Sequence, residues 1–165
     1  MTVPVVAVER AVPDVANRVD ADQQMRALLS RPDPGPPGER LVLLHFRGRR
    51  TGRHFEVPAG LHRLGDGLFV ATGSGWRHNF AGGLAAEVTW RGRRRPAVLR
   101  LVASADRTAA GYLELIGRYG TEAARRRLGI VINVDRMPVL DEVRDAVHRC
   151  GLSLVEVWLE EEPTG

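Results

Sequence analysis

Short apolar segments alternate with tight glycine turns between residues 41 and 102. Gly65-Asp66-Gly67 is typical of a hairpin turn, and a second turn is expected at Gly92-Arg93. Strands this short, joined by turns this tight, pair with their chain neighbours, so the region predicts a small antiparallel barrel. The predicted strands are Leu41–Phe46, Phe55–Leu64, Leu68–Thr72, Glu87–Arg91 and Pro96–Val102.

Helices and one more strand are expected around this barrel. Asp106 is placed to cap a helix that runs to about Leu128, and Pro138 to begin a second helix that Gly151 ends. Leu152–Leu159 is expected to return into the barrel as a strand. A short helix is predicted over Trp76–Ala81. The sequence therefore predicts an α+β fold, a single-domain antiparallel barrel of about six strands with flanking helices.

The first 38 residues differ from the rest in composition. Val3–Val8 is a candidate edge strand, and Ala21–Ser30 has helical character. Prolines and glycines then dominate Pro32–Gly38, which predicts a stiff linker with no helix in it. We therefore expect an accessory segment over 1–38 and the barrel domain over 39–165.

Charge and cysteine content exclude several classes of protein. The net charge is +4 and all 24 basic residues are Arg, but no aromatic residues interleave with them as a stacking platform requires, so no nucleic acid is predicted as a partner. The single Cys150 excludes an intrachain disulfide and a cysteine metal site, and no histidine pair has metal spacing. No stretch approaches the ~20 apolar residues of a membrane span. A cytoplasmic protein is expected.

The segment from Arg47 to Pro58 is the most basic loop of the chain. It contains four arginines, two glycines and one threonine hydroxyl between two predicted strands. Glycines let successive N–H groups turn inward, and guanidiniums match phosphate or carboxylate oxygens in pairs. The loop therefore predicts an anion site, with a solvated basic turn as the alternative.

Several motifs together resemble the deazaflavin-dependent nitroreductases, which use coenzyme F420 and have a split β-barrel related to pyridoxamine-phosphate oxidases. The motifs are the loop Gly48-Arg49-Arg50-Thr51-Gly52-Arg53 followed by Pro58, the strand end Ala71-Thr72-Gly73-Ser74, the helix Trp76-Arg77-His78-Asn79-Phe80 and a hairpin at Gly92. The resemblance covers roughly Leu41 to Val102, and the C-terminal region only loosely.

The resemblance implies a set of cofactor-binding residues. Loop residues would meet the anionic tail, Pro58 and Ala59 would run against the deazaflavin ring, and the strand end and the following helix would line the groove. The implied residues are Arg49, Arg50, Thr51, Gly52, Arg53, Pro58, Ala59, Thr72, Gly73, Ser74, Trp76, Arg77 and Asn79. The chain departs from the family pattern at two places, and both reduce the anion-binding surface. Phe55 stands where many relatives have a basic residue, and a single Gly75 precedes Trp76 where many have a longer glycine-rich stretch. FMN and haem therefore stay open as alternative ligands.

The implied activity is transfer of a hydride from reduced F420 to a small electron-poor substrate, such as a quinone, enone, imine or nitro compound. The cofactor carries that chemistry, which is why no catalytic triad or metal cluster is needed. Tyr112 and Tyr119, two turns apart on one helix, are candidate proton donors, although core packing with a polar tip is the favoured use. His62 alternates with apolar residues on a strand, which favours a barrel-surface or interface role. A non-catalytic barrel that binds a cofactor or nucleic acid stays open, as does a homodimer.

Overall fold

The computed structural model describes residues 6–11 and 15–160 of the chain. Eight strands, five α-helices and one 3₁₀ helix occur in these ranges. The strands are β1 (Val8–Arg10), β2 (Leu41–Arg47), β3 (His54–Leu64), β4 (Gly67–Thr72), β5 (Leu84–Trp90), β6 (Arg93–Leu101), β7 (Ile130–Ile132) and β8 (Ser153–Leu159). The helices are α1 (Val15–Leu29), α2 (Pro37–Arg40), the 3₁₀ helix (Gly75–Phe80), α3 (Ala105–Tyr119), α4 (Ala124–Leu128) and α5 (Leu140–Cys150).

Six of the strands close into a barrel in the order β2-β3-β4-β8-β6-β5, with every pair antiparallel. The β2–β3 hairpin runs in register from Leu41 opposite Gly60 to Arg47 opposite His54. The last strand, β8, enters between β4 and β6, as the sequence predicted. The predicted α+β fold with an antiparallel barrel of about six strands is confirmed.

Alternation along the strands fills the barrel interior with apolar side chains. On β2 these are Val42, Leu44 and Phe46, all at most 3% exposed. Phe46 stacks on Phe55 with ring centres 5.0 Å apart, and meets Phe80 of the 3₁₀ helix edge-on at 4.8 Å. The 3₁₀ helix therefore packs against the barrel core through Phe80, and this packing fixes its position.

A second core lies outside the barrel, where α3, α5 and the β1–β7 ladder pack together. Val8 of β1 and Ile130 of β7 are fully buried there with Ile116 of α3 and Val143 of α5. Leu154 belongs to β8 but faces this outer core, since successive strand residues point to opposite sides of the sheet. One short N-terminal strand is thus held at the helical side of the barrel.

The predicted long helix from Asp106 to Leu128 is wrong, because the chain breaks after Tyr119. Gly120 has φ +89°, which ends α3, and α4 starts only at Ala124. The cap is Ser104, whose hydroxyl accepts the Arg107 N–H at 3.1 Å. A serine in extended conformation can reach that N–H, whereas Asp106 lies already inside the first turn.

Other boundaries also shift. The second helix begins at Leu140, and Pro138 precedes it. The end of the predicted linker overlaps the start of α2, because Pro37 occupies a first-turn position, where a missing N–H costs nothing. Of the predicted edge strand Val3–Val8, only Val8 belongs to β1, and residues 3–5 lie outside the described ranges. Within the described ranges, the model contains no helix with the length and apolarity needed to cross a membrane.

Candidate functional site

A polar concavity lined by described residues, which we call the main cavity, has a volume of about 480 Å³. It lies on the outside of the barrel, between the middle of β3, the end of β4, the C-terminus of α4 and the end of β1. The described lining is Arg10, Ala11, Asp22, Val57, Pro58, Ala59, Gly60, Ala71, Thr72, Gly73, Ser74, Trp76, Arg125, Arg127, Leu128, Gly129 and Leu152.

Six of the sequence-predicted site residues meet in this cavity. They are Pro58, Ala59, Thr72, Gly73, Ser74 and Trp76. Small side chains on β3 leave the strand backbone as one wall, and the turn after β4 forms another. Trp76 contributes its indole, which also packs against Phe46 with ring centres 6.1 Å apart. These six residues carry no charge, and we call the surface that they form the floor of the main cavity.

The turn after β4 is held rigidly by hydrogen bonds. The hydroxyl of Thr72 accepts the N–H of Ser74 at 3.0 Å. Arg77 donates from Nη1 to the carbonyl oxygens of Gly73 and Ser74, at 3.1 and 2.9 Å. Its guanidinium lies against the bare Cα of Gly151, where a Cβ would come within 2.5 Å of Nη2. Arg77 thus braces the turn from behind and does not line the main cavity.

Three arginines that the sequence analysis missed, which we call the rim arginines, line this cavity. Arg125 and Arg127 come from α4, and Arg10 from the end of β1. Arg10 lies across Gly73, whose missing side chain leaves the space, since a Cβ there would be 3.0 Å from Nε. The run of three arginines at 125–127 was a visible signal. It was overlooked because basic residues near a helix C-terminus are common for helix-dipole reasons alone.

A smaller groove of about 220 Å³ adjoins the main cavity and shares Asp22, Val57, Pro58 and Trp76 with it. Arg53 of the basic loop and Arg26 of α1 line this groove. The two spaces therefore offer a continuous surface from the uncharged floor to two further arginines. Asp22 is the one carboxylate that lines both among the residues described.

The backbone of the basic loop does not form the expected anion-binding nest. The N–H of Gly48 donates to the Arg53 carbonyl at 2.8 Å, and that of Gly52 to the Gly48 carbonyl at 2.9 Å. The N–H of Arg53 is taken by the Thr51 hydroxyl at 3.2 Å. These donors close the hairpin, so Thr51 and Gly52 hold the turn. Arg50 is exposed and lines neither the main cavity nor the groove.

Asn79 connects this loop to the 3₁₀ helix. Its Oδ1 accepts the N–H of Arg49 at 2.9 Å, and its Nδ2 donates to the Trp76 carbonyl at 2.9 Å. Arg49 adds a bond from Nη2 to the Gly83 carbonyl at 2.7 Å. Asn79 and Arg49 therefore fix the position of the loop, and neither lines the main cavity.

The two candidate tyrosines have different surroundings. Tyr112 is fully buried and donates its hydroxyl to the Ser153 carbonyl at 3.1 Å, and burial raises its pKa. Tyr119 is half-buried, and its hydroxyl lies 2.7 Å from Nδ1 of His62. His62 is only 2% exposed, because Tyr119 of α3 covers this face of β3, so the histidine lies at an interface within the fold and not on the open surface.

His62 is held in its neutral form. Burial, and then the positive charges of Arg127 and Arg118, lower its pKa from 6.5 to about 4. Its Nε2 has no hydrogen-bond partner among the described residues. A buried polar atom without a partner is costly, so this one requires an explanation.

Comparison with known proteins adds little at this point. No family model and no curated protein matches the chain. Among solved structures it resembles the FAD and heme binding protein from Mycobacterium smegmatis, with 19% identity and a TM-score of 0.40 over 85% of this chain and 71% of that one. It also resembles a proposed 5-nitroimidazole antibiotic resistance protein from Bacteroides thetaiotaomicron, with 9% identity and a TM-score of 0.40 over 93% and 85% of the two chains. Likeness at this level carries no argument about the ligand, and the fold rests on its own strand pairing.

Other polar clusters of the described chain have structural explanations. The arginines between residues 91 and 100 are partly neutralised, because Arg91 pairs with Glu39 at 2.9 Å and Arg94 with Glu87 at 3.2 Å. No group of His, Cys, Asp and Glu in the described residues has metal-binding geometry. A hydrogen bond of 2.7 Å joins Nε2 of His45 to the hydroxyl of Thr89, which is paired to β2 on one side and β6 on the other.

Proposed function

We propose that this protein is an F420H2-dependent reductase that transfers a hydride to a small electron-poor organic substrate. The observation that carries the proposal is the main cavity, in which six uncharged residues and three arginines line one space. A deazaflavin ring with an anionic tail requires both features in one place. The sequence motifs that resemble the F420-dependent family contribute six residues to this floor.

The dimensions of the site fit the ring. Ligand pockets commonly enclose roughly 300–1,000 Å³, and the main cavity of about 480 Å³ lies in that range. The ring would lie against the β3 backbone at Pro58–Gly60, with the indole of Trp76 at one side.

The charges of the site fit the tail. The tail of F420 carries a phosphodiester and carboxylates, and guanidiniums bind both in bidentate geometry. Arg10, Arg125 and Arg127 surround the main cavity, and Arg26 and Arg53 continue along the groove. Such a series of arginines favours a long polyanionic tail over the single phosphate of FMN.

Haem fits this cavity less well. Haem iron in proteins takes an axial ligand from His, Cys, Met or Tyr. The described lining of the main cavity contains none of these residues. FMN remains the stronger of the two alternatives, since it shares the flat ring and needs no axial ligand.

The bound cofactor would supply the hydride, and the protein would bind, orient and shield the reactants. The rim arginines would neutralise the tail. The turn braced by Arg77 would hold one wall at a fixed distance from β3. Arg10 and Asp22 belong to the proposed accessory segment 1–38, which would therefore complete the site of the domain 39–165. The homodimer and the cytoplasmic location stay predictions.

The direct test is turnover. Reduced F420 is mixed with the protein and, in separate reactions, with a quinone, an enone, an imine and a nitroaromatic compound, and the absorbance of oxidised F420 is followed. We expect protein-dependent oxidation with at least one acceptor. The proposal is wrong if every acceptor fails while F420 binds, or if reduced FMN supports faster turnover than reduced F420.

A further inference from the structure

A second opening lies beside the main cavity, at the end of the β2–β3 ladder. It has a volume of about 280 Å³, and we call it the side cavity. Leu41, the first residue of β2, is paired with Gly60 of β3, and both residues line it. Gly60 and Arg127 line the main cavity as well. The side cavity therefore adjoins the main cavity next to Ala59 of the floor.

Apolar side chains from three elements line part of the side cavity. Met25 belongs to α1, Pro37 begins α2 and Leu41 begins β2, and all three are half-buried. A methionine thioether adapts its shape to a ligand and makes favourable contacts with aromatic rings. Covering these side chains with an apolar ligand contributes binding free energy in proportion to the area removed from water. The side cavity thus favours a small ligand with an apolar, aromatic body.

The charged residues of the side cavity are all arginines. Arg40 ends α2 and Arg126 belongs to α4, and the described lining contains no acidic residue. Neither of these two guanidiniums has an ion pair or a hydrogen-bond partner among the residues described. Arg127 also lines the side cavity, but its guanidinium stacks over the Tyr119 ring, 4.0 Å from the ring centre. Arg40 and Arg126 are therefore two cations that lose no protein partner when an anion binds.

Neighbouring arginines of α4 line different cavities. Arg125 lines the main cavity and not the side cavity, whereas Arg126 lines the side cavity and not the main cavity. Successive residues of a helix are turned by about 100° from one another, which separates the two side chains. Arg126 also lines a surface opening that contains Glu122, without forming an ion pair with it. The two cavities thus have separate positive charges from one short helix.

From these contacts we infer that the side cavity binds the organic substrate, and that this substrate is a small aromatic molecule with a carboxylate group. The inference rests on the proposed reductase function and names its substrate class. The aromatic body would lie against the apolar side chains, with the carboxylate at Arg40 and Arg126. The electron-poor end would face Gly60, beside the main cavity. Arginine fits both parts of such a molecule, because its guanidinium binds carboxylates in bidentate geometry and stacks on aromatic faces.

A nitroaromatic acid serves as the example for the reaction. Hydride from reduced F420 brings two electrons and one hydrogen, and the proton that oxidised F420 releases reaches the nitro group through solvent. The nitro group becomes a nitroso group and one molecule of water leaves, so atoms and electrons balance. The carboxylate is unchanged in this step and contributes to binding alone. Loss of its partner should therefore raise KM and leave kcat unchanged.

Binding without cofactor is the first measurement. The probes are 4-nitrobenzoate and its neutral analogue 4-nitrobenzamide, titrated into the full-length protein and followed by ¹⁵N–¹H NMR. In wild type we expect the acid to bind about tenfold more tightly than the amide, the effect of one charge-assisted contact. Arg40→Gln and Arg126→Gln should each lose most of this preference. Arg125→Gln, the same change one residue earlier on α4, is the matched control and should keep it.

Two results of this titration would overturn the inference. One is equal affinity for the acid and the amide in wild type, or a preference for the acid that survives in both Arg40→Gln and Arg126→Gln. The other is a loss of preference confined to Arg125→Gln, which would place the acid in the main cavity. Failure of F420 to bind wild type would overturn the reductase proposal alone, because the titration contains no cofactor.

Turnover with reduced F420 is the second measurement. Arg126→Gln should raise KM for 4-nitrobenzoate by about tenfold and leave kcat as in wild type, since only binding of the carboxylate is lost. KM for 4-nitrobenzamide should change much less. Equal rises of KM for the two compounds, or a fall of kcat with KM unchanged, would contradict a carboxylate contact at Arg126.

Discussion

The guanidinium of Arg127 lies 4.0 Å from the ring centre of Tyr119, and the same residue lines the main cavity. Its positive charge lowers the pKa of His62, second only to burial. Ligand charge and the protonation of a buried histidine are therefore expected to be linked through this residue.

The pKa of His62 predicts a specific loss of stability in acid. The folded pKa of about 4 lies below the unfolded value of 6.5. The stabilising contribution is therefore complete above pH 6.5, falls as the pH drops, and is gone below about 4. The loss should approach about 3 kcal/mol at the lower limit. Urea denaturation at pH 7 and 4.5 should show a larger loss for wild type than for His62→Gln, and equal losses would contradict the account.

Two arginines of the basic loop should differ in their effect on cofactor binding. Arg53 lines the groove, whereas Arg50, which the family resemblance selects, is exposed at the loop tip outside both spaces. Arg53→Ala should raise the F420 dissociation constant by about tenfold, one charge-assisted contact. Arg50→Ala, with the same change of net charge, should have a much smaller effect in the same fluorescence titration. A larger rise of the F420 dissociation constant in Arg50→Ala than in Arg53→Ala would instead favour Arg50, the residue that the family resemblance selects, as the ligand contact.

A methyl group at Gly73 should weaken anion binding through Arg10. The added Cβ would lie 3.0 Å from Nε and 3.1 Å from Cδ of Arg10, which can swing away from the cavity because it is the end of a flexible side chain. Gly73→Ala should therefore reduce F420 affinity with little change in melting temperature. Gly75→Ala is the matched control, since its Cβ would meet nothing within 4 Å. Equal affinities in the two variants would show that Arg10 takes no part.

Asn79 is expected to stabilise the folded protein and to make no contact with the ligand. Its amide joins the Arg49 N–H to the Trp76 carbonyl, so Asn79→Ala removes two hydrogen bonds and should cost about 1–3 kcal/mol. His78→Ala, at an exposed position of the same 3₁₀ helix, should cost far less. Thermal melts of both variants without ligand make the comparison. If Asn79→Ala keeps the melting temperature of wild type but loses F420 affinity, this account is contradicted and Asn79 contacts the ligand, as the family resemblance implies.

The barrel was predictable because hydrophobic alternation and turn chemistry are local signals. Gly65 and Gly67 bracket the β3–β4 turn, and Leu152–Leu159 has the apolar pattern of a buried strand. The break at Gly120 was missed because a single glycine is tolerated inside many helices, so only the capping geometry after Tyr119 decides the boundary.

Only the part of the site that follows from the hairpin order could be predicted from the sequence. Pro58 and the turn at Thr72–Ser74 follow strands, so their neighbourhood is determined by the hairpin order. Arg10 and Arg127 reach the same cavity through the β1–β7 ladder, whose partners are more than 100 residues apart in sequence. Nothing local in either segment indicates that pairing. For His62, alternation indicates the face of β3 on which it lies but not that Tyr119 covers this face.

The most direct test of the central claim, that the main cavity binds a ring with a polyanionic tail, is the affinity of Arg125→Ala for F420 and FMN measured side by side. Arg100→Ala, an exposed change on β6 outside the cavities described above, is the control. We predict that wild type binds F420 more tightly than FMN, that Arg125→Ala loses about tenfold or more in F420 affinity, and that Arg100→Ala matches wild type. Tighter binding of FMN by wild type, or equal F420 affinity in all three proteins, would contradict the claim.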